Sequence, residues 1–107
     1  MYNLFLDDIR EPVQYYNIDF KVARTYDEAT DLVLKYGLPQ FVSFDHDLGD
    51  TSEQEKTGYT FAKFLIDYML DNDIYVPFNY HVHSANPVGK KNIESYLENA
   101  FSHIAKL

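Results

Sequence analysis

The stretch FVSFDHDLG, residues 41–49, begins as a short apolar run and ends in two acids, a histidine and a glycine. An apolar run of this length bounded by turn residues is typical of a buried strand, here residues 41–45. The polar residues then follow at the point where the strand leaves the sheet. In open α/β sheets this carboxyl edge is where ligands bind. The stretch therefore predicts both a parallel sheet and the position of a site on it.

Two other segments end in the same way. The first, YNLFL, runs into Asp7 and Asp8, and the second, FNYHV, runs into His83 and Ser84. Because the carboxyl ends of parallel strands meet at one edge of a sheet, we expect these acids, histidines and hydroxyl to lie close together. Three strands that deliver such groups to one edge predict a functional site.

Capping residues place the helices. The spacing of Thr25 and Glu28 is that of a capping box, and apolar residues follow at helical spacing as far as Gly37, which ends the helix. A second helix is predicted over residues 59–71. A third begins at Asn86, a good helix cap followed by proline.

These elements predict one α/β domain over residues 1–107, with three main helices and a four-stranded parallel sheet in the order 2-1-3-4. The predicted strands are residues 2–7, 20–24, 41–45 and 78–83. Residues 11–19 are too short for a covering helix, so one sheet face is under-covered. Either the C-terminal helix or a second copy of the chain would cover it, and we predict a homodimer. Residues 49–58 form a polar loop, which is either a mobile lid or a solvated surface loop.

The composition narrows the classes of function. The chain has 107 residues, no cysteine and a formal net charge of −8. This charge argues against binding of duplex nucleic acid, which needs a basic surface. It allows a small phosphorylated ligand, because a pocket can be locally basic or hold a metal ion. With no thiolate site, no membrane-length apolar run and no signal peptide, we expect a soluble cytoplasmic protein that is not bound to membranes.

Three acids at the predicted strand ends are candidate metal ligands. Asp7, Asp8 and Asp45 would repel one another at one sheet edge, and a divalent cation relieves such repulsion. Hard carboxylate oxygens suit Mg²⁺, which we predict as the cofactor. The alternative is that these acids cap helices or pair with Arg10 or a lysine.

Two histidines are the candidate acid and base. Neutral imidazole can both accept and give a proton near pH 7, as hydrolysis of a phosphate ester requires. His46 and His83 each precede a hydrogen-bonding partner, Asp47 and Ser84, which we include as catalytic candidates. His81 shares the strand face of His83, and we expect it to lie deeper as a supporting or core residue.

The turn before the third helix is a candidate anion site. Backbone donors and the positive end of the helix dipole suit a phosphate there. We predict that Asn86, Lys90 and Arg10 bind the phosphate of the ligand. No glycine-rich phosphate loop or nucleophile elbow is present.

The chain resembles a shortened response-regulator receiver domain. That family has an acid pair after its first strand, an acceptor aspartate after its third and a Ser/Thr-Ala after its fourth. Asp7-Asp8, Asp45 and Ser84-Ala85 match these positions. The fifth strand, its lysine and the fifth helix are missing here, which makes phosphotransfer signalling through Asp45 the weakest hypothesis.

The chain resembles more closely a receiver-like family, the cyclic-phosphate processing receiver domain, over nearly its whole length. Its motifs appear here as LDDIREP (6–12), RTYDEA (24–29), SFDHDLG (43–49), TGY (57–59) and VHSANPVG (82–89). The resemblance implies a receiver-like, flavodoxin-like fold, as a three-layer or incomplete sandwich, that acts on cyclic phosphates of nucleotides or RNA ends. The site that it implies consists of Asp7, Asp8, Asp45, His46, Asp47, His83, Ser84 and Asn86.

Two functions follow from these observations. The leading hypothesis is a phosphoesterase that opens a cyclic phosphate of a nucleotide, a cyclic oligonucleotide or an RNA end. The acids would bind Mg²⁺, while one histidine activates water and the other protonates the leaving oxygen. A mechanism that uses the two histidines without a metal ion is a variant. The alternative is a non-catalytic module that binds a nucleotide or a protein partner.

Overall fold

The computed structural model describes residues 1–107 and confirms the predicted four-stranded parallel sheet. The strands are β1 (Asn3–Leu6), β2 (Lys21–Ala23), β3 (Phe41–Phe44) and β4 (Asn79–Val82), in the order β2-β1-β3-β4. The helices are α1 (Tyr26–Tyr36), α2 (Gly58–Asp71) and α3 (Pro87–Ile104). A short 3₁₀ turn (Pro12–Gln14) lies between β1 and β2. None of the helices has the length and apolar character needed to cross a membrane.

Helix α1 begins and ends close to where the sequence predicts. The hydroxyl of Thr25 accepts a hydrogen bond from the backbone N–H of Glu28 at 3.1 Å. The carboxylate of Glu28 accepts from the N–H of Arg24, at 3.2 Å, so only one half of the predicted capping box is formed. Gly37 ends the helix with a φ of +86°, which lies in the left-handed region that favours glycine.

The two faces of the sheet differ because side chains alternate along each strand. One face presents buried aliphatic and aromatic residues to all three helices. With the inner sides of α1, α2 and α3, these residues form one continuous apolar core. The strand residues of this core are Leu4, Leu6, Ala23, Val42, Phe44 and Val82.

The opposite face is covered by the irregular segment that joins β1 to β2. The ring of Phe5 lies 6.3 Å from that of Tyr15 and 5.8 Å from that of Phe20. Helix α3 does not cross this face, because its residues Ile93 and Leu97 are buried in the helix-side core. The expectation that the C-terminal helix could cover this face is therefore wrong, and the homodimer stays a prediction.

Candidate functional site

A cleft of about 190 Å³ opens where β1, β3 and β4 end. Its lining consists of Asp8, Ile9, Arg10, Asp45, Asp47, Ser84, Ala85 and Asn86. All the predicted site residues belong to this lining except Asp7, His46, His83 and Lys90. The sheet edge therefore brings most of the predicted site residues together, as expected from the strand order.

Asp7 lies just behind the cleft with a fully buried side chain. One of its oxygens accepts from the N–H groups of Ile9 (3.0 Å) and Arg10 (2.9 Å), and the other accepts from His83 Nε2 at 2.9 Å. The Arg10 guanidinium also lies 3.6 Å from this second oxygen. Burial acts to raise the pKa of Asp7, but the hydrogen bonds from Arg10, Ile9 and His83 outweigh it and hold the pKa below its usual value. Asp7 is therefore ionised at neutral pH.

Three carboxylates form an acidic cluster at the base of the cleft. Oxygens of Asp7, Asp8 and Asp45 lie within 4.8 Å of one another. Asp45 is nearly buried, and burial together with repulsion from Asp7 raises its pKa to about 6. Asp8 is partly exposed, and its carboxylate forms no hydrogen bond or ion pair with the protein. Three closely spaced carboxylates, one of them without a protein partner, fit a hard divalent cation such as Mg²⁺.

His83 is enclosed rather than open to the cleft. Its ring stacks on Phe5 with the ring centres 4.6 Å apart, Tyr15 lies 5.1 Å away, and the side chain is 1% exposed. Nδ1 lies 2.7 Å from Ser43 Oγ, and Nε2 lies 2.9 Å from Asp7. Burial lowers the pKa of His83 more than Asp7 raises it, so the ring is neutral at pH 7. Both nitrogens are in use within the protein, and His83 serves as an anchor for Asp7.

Hydrogen bonds continue from His83 to the protein surface. Ser43 Oγ lies 2.9 Å from Tyr16 Oη, which lies 2.6 Å from His81 Nδ1. His81 is exposed, so the expectation that it lies deeper than His83 is wrong. The reason is that β4 is an edge strand, and Tyr16 is the residue of the covering segment that contacts His81.

Sequence reasoning missed Ser43 and Tyr16. Ser43 is a hydroxyl within an otherwise apolar strand, two residues before Asp45 and thus on the same face, which could have drawn attention to it. Tyr16 belongs to an irregular segment, where no periodicity indicates which way a side chain points.

His46 forms the second histidine–aspartate pair of the site. Its Nδ1 lies 2.9 Å from Asp47 Oδ1, while Nε2 has no protein partner and reaches solvent. The other oxygen of Asp47 accepts from Asn86 Nδ2 at 3.2 Å, and Asn86 Oδ1 accepts from the N–H of Gly89 at 3.0 Å. The hydrogen bond from His46 lowers the pKa of Asp47. The start of α3 thus orients Asp47, and Asp47 orients the ring of His46.

Two glycines allow the helices to approach this site. A Cβ at Gly89 would lie 2.4 Å from Cγ of His46, so the ring packs directly on the first turn of α3. A Cβ at Gly58 would lie 1.8 Å from the carbonyl oxygen of Asp45, which requires glycine at the start of α2. The packing role of Gly89 has no signal in the sequence, because it depends on where the ring of His46 lies.

Lys90 and the polar loop stand apart from the cleft. Lys90 is not among its lining residues, where the single cation is Arg10. None of residues 50–57 lines the cleft either. Asp50 holds the loop together by accepting from the N–H groups of Ser52 (2.9 Å) and Lys56 (2.8 Å). This arrangement favours a solvated surface loop over a lid.

Comparison with known proteins identifies one family. The sequence model of the cyclic-phosphate processing receiver domain matches residues 2–99, a range that contains every residue of the site described above. No curated protein and no solved structure matches the chain.

Proposed function

Because this chain belongs to the cyclic-phosphate processing receiver domain family, we propose that it is a phosphoesterase that opens a cyclic phosphate. The phosphate would belong to a nucleotide, a cyclic oligonucleotide or an RNA end. The observation that carries the proposal is an acidic cluster at the cleft together with a histidine, His46, that is oriented by a residue of the cleft lining, Asp47. His46 has a free Nε2 and a carboxylate on Nδ1, which is the arrangement of a general base.

The charges of the cleft support a role for a metal ion. The lining carries the carboxylates of Asp8, Asp45 and Asp47 against the single cation of Arg10. A phosphate anion would be repelled from such a cleft unless a divalent cation entered with it. Asp7, Asp8 and Asp45 would hold this ion, since their oxygens lie within 4.8 Å of one another. When bound, the ion would neutralise phosphate charge and polarise the phosphorus–oxygen bonds.

In the mechanism that we propose, His46 activates water. Nε2 takes a proton as the water oxygen bonds to phosphorus and the ester bond within the ring breaks. The leaving oxygen takes its proton from the solvent that reaches this open cleft, because His83 is enclosed and cannot serve as its acid. Asp47 accepts the Nδ1 hydrogen bond and stabilises the imidazolium that forms.

Arg10 and Ser84 line the cleft, and their side chains would contact the phosphate. Ser84 Oγ accepts from the N–H of Asn86 at 3.1 Å and donates to the carboxylate of Asp45, so its hydroxyl hydrogen would turn from Asp45 to the phosphate when the ligand binds. Asn86 has both ends of its amide in use, so we assign it to holding Asp47. Lys90 would contribute only long-range charge.

The test is incubation with 2′,3′-cyclic nucleotides, 3′,5′-cyclic nucleotides and cyclic oligonucleotides, each with Mg²⁺ and separately with EDTA. We expect a linear phosphomonoester by chromatography with Mg²⁺ and none with EDTA. Full activity in EDTA would select the metal-free variant. Unchanged substrates throughout the panel would contradict the esterase.

A second candidate is a module that binds such a ligand without turning it over. The enclosure of His83 favours it, because only one histidine remains able to exchange protons with a ligand. Equilibrium dialysis on the same panel separates the two functions, since a binding module retains its ligand intact and an esterase releases a linear product.

A further inference from the structure

A continuous series of hydrogen-bonded side chains runs from the protein surface to Asp7. It begins at the exposed ring of His81 and passes through Tyr16 (2.6 Å), Ser43 (2.9 Å) and His83 (2.7 Å) before reaching Asp7 at 2.9 Å. All five side chains lie on the sheet face opposite the helices. Ser43 and Asp7 are fully buried, so the inner part of the series is shielded from water.

The donors and acceptors of this series can be assigned from its ends. An ionised carboxylate only accepts, so Nε2 of His83 must carry the hydrogen that it donates to Asp7. Nδ1 of the neutral ring then accepts, and the hydrogen of Ser43 Oγ goes to it. Each hydroxyl has one hydrogen to give.

The outer bonds of the series have defined directions as well. Because the hydrogen of Ser43 is committed to His83, Tyr16 must donate to Ser43. Tyr16 has then no hydrogen left for His81, so Nδ1 of His81 must donate to Tyr16. Every bond therefore points inward, from the surface to Asp7.

We propose that Ser43 and Tyr16 are positioning residues that fix which nitrogen of His83 faces Asp7. If the hydrogen moved to Nδ1, a bare ring nitrogen would face the carboxylate at 2.9 Å and the two would repel each other. Ser43 prevents this by donating to Nδ1, and Tyr16 keeps the hydroxyl of Ser43 aimed at the ring. The series thereby holds the carboxylate of Asp7 in place for the acidic cluster. The inference rests on the proposed function only in taking that cluster as a cation site.

Nitrogen NMR of the metal-free protein tests the hydrogen assignment directly. We expect ¹⁵N shifts that place the hydrogen of His83 on Nε2 and a hydrogen of His81 on Nδ1. In Ser43→Ala, the Nδ1 signal of His83 should move toward that of an imidazole nitrogen without a donor. A wild-type His83 with its hydrogen on Nδ1, or a Ser43→Ala spectrum with unchanged His83 shifts, would overturn the proposal.

Binding of Mn²⁺, followed by calorimetry, tests the effect on the cluster. Loss of groups that orient metal ligands commonly weakens binding by about 10-fold, which we expect for Ser43→Ala, with about 3-fold for Tyr16→Phe. Tyr2→Phe is the matched control, because Tyr2 Oη donates to the carbonyl of Gly37 (2.6 Å) away from the cleft. A purely structural role would lower stability in all three variants and leave Mn²⁺ affinity unchanged, which would overturn the proposal.

Failure of the proposed function gives a different pattern. If wild-type protein bound no Mn²⁺, the assignment of the acidic cluster as a cation site would be wrong. The NMR result alone would then decide whether Ser43 and Tyr16 position His83. If Mn²⁺ affinity responded as expected but no cyclic phosphate were opened, the positioning role would stand and the esterase would not.

Discussion

Two histidine–aspartate pairs lie at the same sheet edge, and their hydrogen bonds have the same length. His83 lies 2.9 Å from Asp7, and His46 lies 2.9 Å from Asp47. In the first pair the side chains are 1% and 0% exposed, and in the second they are 18% and 59% exposed. The first pair uses both ring nitrogens within the protein, whereas the second leaves one nitrogen to solvent.

The surroundings of the two pairs, and not the lengths of their hydrogen bonds, separate an anchoring histidine from a catalytic base. Removing a neutral donor from a buried carboxylate leaves a charge that has lost a hydrogen bond in a poorly hydrated place, which costs about 1–3 kcal/mol or more. An exposed pair contributes about 0–1 kcal/mol to stability, because water replaces the lost partner. The buried pair therefore stabilises the fold, and the open pair is available for chemistry.

The largest expected effect is on turnover in His46→Ala. Removal of a general base lowers rates by about 10²–10⁴-fold, while the free energy of unfolding should fall by less than in His83→Ala, because the partner Asp47 is 59% exposed and stays hydrated. Initial rates of ring opening and urea denaturation measure the two quantities. His103→Ala is the control, since His103 is exposed near the end of α3 and away from the cleft. A variant with turnover near that of wild type would remove His46 from the mechanism.

His83→Ala should show the reverse pattern. It leaves a cavity in place of a buried ring and leaves Asp7 without one of its donors, so the free energy of unfolding should fall by about 3–4 kcal/mol. Urea denaturation at neutral pH measures the loss. His81→Ala, at an exposed position on the same strand, should cost about 1 kcal/mol or less. Equal stability of the two variants would mean that the buried pair does not anchor the fold.

Asp45 lies between the two pairs, beside Asp7 and next in sequence to His46. Its pKa of about 6 exceeds the ordinary 3.8, so its ionised form is disfavoured in the folded protein. The folded state holds a proton that the unfolded state has lost between these values, so stability falls as pH rises from about 4 to 6. The difference corresponds to roughly 3 kcal/mol at neutral pH.

Asp45→Asn should therefore stabilise the metal-free protein by about 2–3 kcal/mol near pH 7 and by much less near pH 4. Urea denaturation at both pH values measures this difference. The same variant should bind Mn²⁺ more weakly, because it removes a carboxylate from the cluster. A variant that is no more stable than wild type at neutral pH would show that burial and repulsion from Asp7 do not disfavour the ionised form of Asp45.

Much of this arrangement can be predicted from the sequence because strand periodicity is a strong signal. The apolar runs before Asp7, Asp45 and His83 predicted the sheet, and the strand order then placed these residues at one edge. Alternation along β4 also placed His81 and His83 on one face. These features depend on local pattern and on simple connection rules, so no distant contact has to be known.

Which of the two histidines is enclosed and which reaches solvent could not be predicted from strand periodicity. His83 is enclosed because Tyr15 and Phe5 lie on its ring, and Tyr15 comes from a segment without regular structure. The ring of His46 is held beside Gly89, a contact between residues far apart in the chain, and only its Nε2 is left to solvent. Both outcomes depend on tertiary packing, which periodicity does not report.

The smallest expected effect is that of Gly89→Ala on turnover. The added Cβ would lie 2.4 Å from Cγ and 2.8 Å from Nδ1 of His46, so the ring must move away from α3 and its bond to Asp47 must lengthen. We expect turnover to fall by about 10-fold, since a displaced catalytic group loses part of the rate enhancement that comes from its position and orientation. Alanine favours a helix over glycine by up to about 1 kcal/mol, which offsets the packing cost to stability.

Val88→Ala is the matched control for Gly89→Ala, because Val88 is exposed in the same turn of α3. It should leave turnover unchanged, whereas the His46 ring signals of Gly89→Ala should shift in NMR spectra and those of His83 should not. Shifts confined to His46 would show that the open pair can be disturbed without the anchor. Equal shifts at His83 would mean that the two pairs are mechanically coupled, and the division of roles between them would then be wrong.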